Sequence, residues 1–231
     1  MLREILVLCF AAGVCALDTT AAWQLMLSQP LVSGTIAGFI VGSPETGVFV
    51  GVLLQLLWSG SMPLGSRPMP DAPVGTATGV WFAAALVETG GVSLSFSNLA
   101  GLLVALCVAL AGRSTIVWER ELNCRLMRRL RMRLSSGRNV NVELTQALSM
   151  TMAFFRGFLL CVLAVGVLSV LVPVLGGAGG VVGRDYKLVL LLVQGLGIGV
   201  LVSVFARGVR GRLPAFAGGV ALALLIRNLA G

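Results

Sequence analysis

Two apolar runs, Leu31 to Val41 and Thr46 to Trp58, are each about half the ~20 residues that a membrane-spanning helix needs, and Gly42-Ser43-Pro44-Glu45 stands between them. A stretch apolar enough for a bilayer yet broken in its middle admits few folds. Backbone that leaves the helical path at membrane depth is tolerated only where protein covers it or where it lines a cavity. Paired short or Gly/Pro-interrupted apolar segments are therefore sequence pointers to a transport site. Two geometries satisfy the pattern: a hairpin of two short helices, or one tilted helix of about 30 residues kinked at Pro44. Glycines at 34, 38, 42, 47 and 51 suit close packing in either. The next stretch, Met62 to Pro73, carries four prolines and reads as a rigid, irregular loop.

The remainder of the chain has the same solvent preference. Hydrophobic residues make up 57% and charged residues 11%, and the mean hydropathy is +0.98, which together exclude a water-soluble domain. The reading is an all-α polytopic membrane protein whose 231 residues hold about six to eight membrane segments, including the broken or re-entrant helical hairpin. It forms a single integral membrane domain. Within it, residues 1–112 form an N-terminal half, 113–156 a basic helical loop, and 157–231 the C-terminal segments. The formal charge of +8 is read as retention of cations on the cytoplasmic side rather than as a nucleic-acid surface. Five cysteines without a CxxC pair argue against a disulfide framework or a metal site. The chain has no histidine, so it has neither the commonest general base nor a phosphohistidine. No catalytic constellation and no cofactor motif is visible.

In chain order, Ile5 to about Ala22 is the first membrane segment, although its short apolar core and small residues at Cys15-Ala16 also resemble a secretory signal. Asp18 falls inside it or at its end. It is either an intramembrane functional carboxylate or the cap of a helix starting near Thr19. Val74 to Val87 is apolar and rich in small residues, and Ser93 to Gly112 is a conventional span stopped by Arg113. Trp118, Leu122, Leu126, Leu130 and Leu134 recur every four residues with arginines between them, the pattern of a helix on a membrane surface or against a partner. A cytoplasmic loop of any membrane protein would also be basic. Asn141 is placed to cap a helix from Val142, Gly157 to Val174 spans, and Leu188 to Ala206 and Leu213 to Ile226 follow. With 113–156 in the cytoplasm, parity returns 207–212 to the same side, and 12 of the 17 basic residues lie in those two segments.

Leu17-Asp18, Gln29-Pro30-Leu31-Val32, Gly38, Gly42, Thr46-Gly47, Gly51, Leu56-Leu57-Trp58, Gly60, Pro63-Leu64-Gly65 and Pro70-Asp71-Ala72 occur in the order of a known pattern. In these residues the chain resembles the IIC membrane subunit of the mannose-fructose-sorbose class of the bacterial sugar phosphotransferase system. The match from Arg113 onward is looser, resting on the basic loop, Arg156 before a span, and Leu213-Pro214-Ala215-Phe216. The resemblance implies a multi-pass permease subunit in the bacterial cytoplasmic (inner) membrane. It would work with a IID membrane subunit and cytoplasmic IIA and IIB phosphocarriers on a hexose or amino sugar, as part of an oligomeric complex in contact with membrane lipids. It would not itself be an enzyme, since the partners carry the phosphoryl group. The polar residues at matching positions, Asp18, Gln55 and Asp71, are the substrate-binding candidates, with Ser59 and Ser61 beside them. Asp71 is open to a second reading as an Asx residue turning a proline-rich loop. Gln55 stands where the family commonly has glutamate and Gln29 where it has arginine, and the family pattern implies about one further segment at the C-terminus. A stand-alone secondary transporter and a non-transporting membrane scaffold are the other readings that the residues allow.

Overall fold

The computed structural model describes residues 2–22, 24–58, 69–137, 141–177 and a few positions between 194 and 202. Within them the chain is helical and contains no strand. The order is α1 (Leu2–Thr20), α2 (Pro30–Ile40), α3 (Pro44–Trp58), α4 (Ala72–Glu88), α5 (Leu94–Ser135) and α6 (Val142–Gly177). The expected segments at 188–206 and 213–226 lie outside the description, and so does the loop from 59 to 68.

The broken stretch is a hairpin and not a kinked helix. Pro30 takes the first position of α2, where its missing N–H costs nothing, and the Ser33 amide closes the first turn on the Gln29 carbonyl at 2.9 Å. At the other end Gly42 adopts φ +74°, a left-handed conformation that glycine enters without a Cβ clash, and the Ser43 amide reaches back to the Gly38 carbonyl at 2.8 Å. Pro44 then opens α3 instead of bending a longer helix. The two legs touch through glycines. A Cβ on Gly47 would stand 2.4 Å from the Gly34 carbonyl oxygen and 2.8 Å from the Gly38 Cα, so backbone lies directly on backbone.

α4 is the centre of the bundle. It is buried almost all round, from Pro73 to Ala84 and again at Leu86, as expected of a helix apolar on every side. Its heaviest packing is against α5, where a Cβ on Gly79 would lie 2.4 Å from the Gly101 carbonyl. Small residues thus let two helices approach without the hydrophobic drive that water would supply. The expected irregular loop ends sooner than the prolines suggest. Pro73 sits in the first turn of α4, where its fixed φ is helical, and Asp71 occupies the capping position.

Arg113 does not end the helix that begins at Leu94. α5 runs for 42 residues, about 63 Å at 1.5 Å per residue, straight through Arg113 and the leucine-arginine repeat. A charged side chain changes which solvent a helix prefers, not its backbone angles. The helix lacks proline throughout, and its end comes where Gly137 takes φ +71°. Asn141 caps α6 as its position predicted, accepting the Leu144 amide on Oδ1 at 2.9 Å. α6 also continues unbroken from its polar start into the apolar run. Among the described residues two helices, α5 and α6, are long and apolar enough to cross a membrane. Leu159, Leu163, Val167, Val170 and Val174 of α6 are all more than half exposed, a continuous apolar face that suits lipid and not water.

Candidate functional site

Four helix ends converge on the predicted polar residues. α2 and α3 are antiparallel, with Gly51 against Pro30. α4 runs parallel to α2, with Thr76 against Gly34. Cys15 of α1, Ser33 of α2 and Pro73 of α4 border one small void, which brings the end of α1 to the same level. The C-terminal ends of α1 and α3 therefore meet the N-terminal ends of α2 and α4. Asp18, Gln29, Gln55 and Asp71 share that layer.

Asp18 belongs to the last turn of α1 and is 3% exposed, so it does not cap a helix beginning at Thr19. One carboxylate oxygen accepts the Leu25 amide and the other accepts the Ser28 amide at 3.0 Å. The loop it grips includes Gln24 and Met26 at positive φ, a backbone that needs an external hold. That loop delivers Gln29. The Gln29 side-chain carbonyl accepts a hydrogen bond from Gln55 Nε2 at 2.8 Å, so the two glutamines are partners. Gln55 Oε1 is buried without a partner among the described residues.

Asp71 is fully buried, and its amide is tied to the Ala109 carbonyl of α5 at 2.9 Å. The Asx reading fails, since its side chain makes no capping bond. Asp71 Oδ2 instead accepts from Arg156 Nη1, while Arg156 Nε donates to Glu119 Oε2 at 2.5 Å and Nη1 also reaches Thr115 Oγ1 at 3.3 Å. Arg156, Asp71 and Glu119 form a buried triad whose formal charges sum to −1. Asp71 Oδ1 and Arg156 Nη2 have no partner among the described residues. Sequence reading missed Glu119 entirely and placed Arg156 in a basic loop. The available signal was position: Arg156 directly precedes an apolar run, where an unpaired guanidinium is costly. Ser59 and Ser61 lie outside the described residues.

The layer therefore holds buried acceptors in Gln55 and Asp71 and a buried donor in Arg156, each with unused capacity. Hydroxyl groups, which both donate and accept, match such a set. Chain-wide similarity places the chain in a family: residues 2–209 match the one described as the PTS system sorbose-specific IIC component. The chain belongs to the EII-Sor family. It is similar to the sorbose-specific EIIC component of Klebsiella pneumoniae, 31% identical over 99 residues, which are 43% of this chain and 34% of that relative. The match thus spans about a third of the relative's length. Among solved structures it is similar in fold to a chain of the mannose transporter ManYZ in complex with microcin E492, with TM-score 0.57 and 19% identity over 98% of this chain and 96% of that one. A structure of a membrane protein gives TM-score 0.66 at 17% identity, covering 100% and 94%. The hairpin of α2 and α3 thus belongs to an EII-Sor chain that is helical throughout its described residues.

Proposed function

We propose that this EII-Sor chain is the sugar-translocating IIC subunit of a mannose-class phosphotransferase system in the bacterial inner membrane. In this reading it works with a IID membrane subunit, and cytoplasmic IIA and IIB carry the phosphoryl group to a hexose or amino sugar. The observation that carries the proposal is the family match over residues 2–209 in a chain whose hairpin gathers buried polar groups at one level. A desolvated sugar hydroxyl needs a hydrogen-bond partner for each one it gives up. Gln55, Asp71 and Arg156 supply them, and Asp18 holds the loop that positions Gln29 against Gln55. The absence of histidine in the chain fits a division of labour in which another subunit carries the phosphate. Reconstitution in liposomes with each component omitted in turn tests this. Phosphorylated sugar is expected only when IID and phosphorylated IIB are present, and unmodified sugar accumulating with this chain alone would instead make it a stand-alone transporter.

Two narrower outcomes follow from the same reading. Cys124 is exposed on the arginine-rich part of α5, which resists translocation. A membrane-impermeant thiol reagent should label it in inverted vesicles and not in intact cells, and labelling from outside would reverse the orientation. Gln55→Leu should weaken sugar binding about ten- to a hundred-fold, because hydroxyls and the Gln29 amide both lose a partner at about 1 to 3 kcal/mol. Equal affinity in a folded variant would remove Gln55 from the site.

A further inference from the structure

Between α5 and α6 lies a groove of about 350 Å³. Trp118 and Leu122 of α5 and Phe155, Leu159 and Leu163 of α6 line it, and the nearly buried Glu119 and Arg156 border it between them. Trp118, Leu159 and Leu163 are each more than half exposed. The groove straddles the edge of the bilayer. A hydrocarbon core of about 30 Å takes about 20 helical residues, so α5, counted from Leu94, leaves it near Arg113, and α6 enters it near Gly157, where its apolar run begins. Leu159 and Leu163 therefore lie inside the apolar layer, and Trp118 lies at the headgroup level, where tryptophan concentrates.

Charge changes along the groove. Arg156 offers none to a ligand, since Asp71 and Glu119 both bind it and the three sum to −1. Farther along α5, Arg125 and Arg129 follow Leu122 on the same helix face, and both are exposed. Helical side chains tilt toward the N-terminus, so these guanidinium groups reach back toward Leu122, as the bond from Arg125 to Glu121 one turn earlier shows. An exposed pair of that kind contributes little and yields readily to a stronger anion. Apolar at its membrane end and cationic at the other, the groove suits an anion with a long apolar tail. A water-soluble acidic protein would meet the arginines but not Leu159 and Leu163 within the apolar layer. The geometry points to a binding site for an anionic phospholipid, with an acyl chain between Trp118 and Leu163 and the phosphate held by Arg125 and Arg129. Basic pockets between membrane helices hold such headgroups on the cytoplasmic side. The site goes beyond the transport reading and does not depend on sugar binding.

Trp118 is a built-in reporter of the groove. The full chain is reconstituted in phosphatidylcholine bilayers with increasing fractions of acyl-brominated phosphatidylglycerol or acyl-brominated phosphatidylcholine. The fluorescence of Trp118 is the difference between each variant and its Trp118→Phe counterpart. The anionic lipid is expected to quench it saturably and at a lower mole fraction than the zwitterionic one. Arg125→Gln with Arg129→Gln should reduce that preference about ten-fold. Arg128→Gln with Arg131→Gln removes the same charge from other sides of α5 and should leave the preference near the parent's. All four arginines are exposed, so neither double variant disturbs the packed bundle. The inference is overturned if the two lipids quench alike, or if both double variants lower the preference equally, which would show a diffuse basic surface. It is also overturned if an added IID subunit shields Trp118 from both lipids, which would show that protein covers the groove. No outcome here depends on sugar uptake, so failure of the lipid site leaves the transport reading standing.

Discussion

Arg156→Met should prevent the accumulation of folded protein, or lower its melting temperature well beyond the effect of Gln55→Leu. The side chain is 6% exposed and stands between Asp71 and Glu119, which are 0% and 5% exposed. Removing the cation leaves two carboxylates buried without a counter-charge, and breaking such a pair from one side costs about 3 to 5 kcal/mol. That is a large part of the roughly 5 to 15 kcal/mol that keeps a domain folded. The loss would be felt across the bundle, because the triad ties the start of α4 to the middle of α5 and of α6. Arg156→Lys should recover little, since a single ammonium cannot reach both carboxylates as the guanidinium fork does. The triple variant Asp71→Asn, Glu119→Gln, Arg156→Met should recover much of the loss, because replacing every charge removes the desolvation penalty along with the attraction. Thermal melts in detergent and size-exclusion profiles would read all three. Arg156→Met with an unchanged melt would show that the triad contributes nothing to stability. A triple variant no better than Arg156→Met would show that the charges themselves are required.

Gly47→Val is expected to force the two legs of the hairpin apart and abolish transport. The added Cβ would meet the Gly34 carbonyl at 2.4 Å and the Gly38 Cα at 2.8 Å, and neither is the end of a flexible side chain. Relief requires movement of α2 as a body. Overpacking of this kind costs about 1 to 3 kcal/mol, and more where backbone must move. The separation would also pull Gln55 from Gln29 and displace Thr76, which lies against Gly34. Gly166→Ala is the matched control, because a Cβ there meets no heavy atom within 4 Å and alanine favours the helix by up to about 1 kcal/mol. It should melt no lower than the parent. Normal uptake by Gly47→Val would show that the hairpin opens freely and that its close contact is dispensable.

The sequence alone determined the solvent of the fold and the places where helices start and stop. An apolar fraction of 57% requires lipid contact, and Gly42, Pro44 and Asn141 act through their own backbone or side-chain chemistry within a few residues, so their effects were legible locally. Local rules also misled where they tied helix continuity to polarity. Arg113 marks a change of surroundings, but nothing in its backbone ends a helix, and α5 continues to Ser135. The choice between hairpin and kinked helix was not local either, because both place glycines at the same positions. It was decided by Gly34 and Gly38 meeting Gly47 across the turn. The polar site divides in the same way. Asp18, Gln55 and Asp71 were identifiable as polar residues in apolar surroundings, but their roles depend on partners at other points in the chain. Asp18 takes up the amides of a loop, Gln55 binds a residue 26 positions away, and Asp71 pairs with an arginine 85 positions away. Burial makes those pairings compulsory, since a charge or amide removed from water must find whichever partner the packing brings near. Which partner that is depends on helices crossing in space, and only the tertiary structure could decide that Arg156 is the cation set between Asp71 and Glu119.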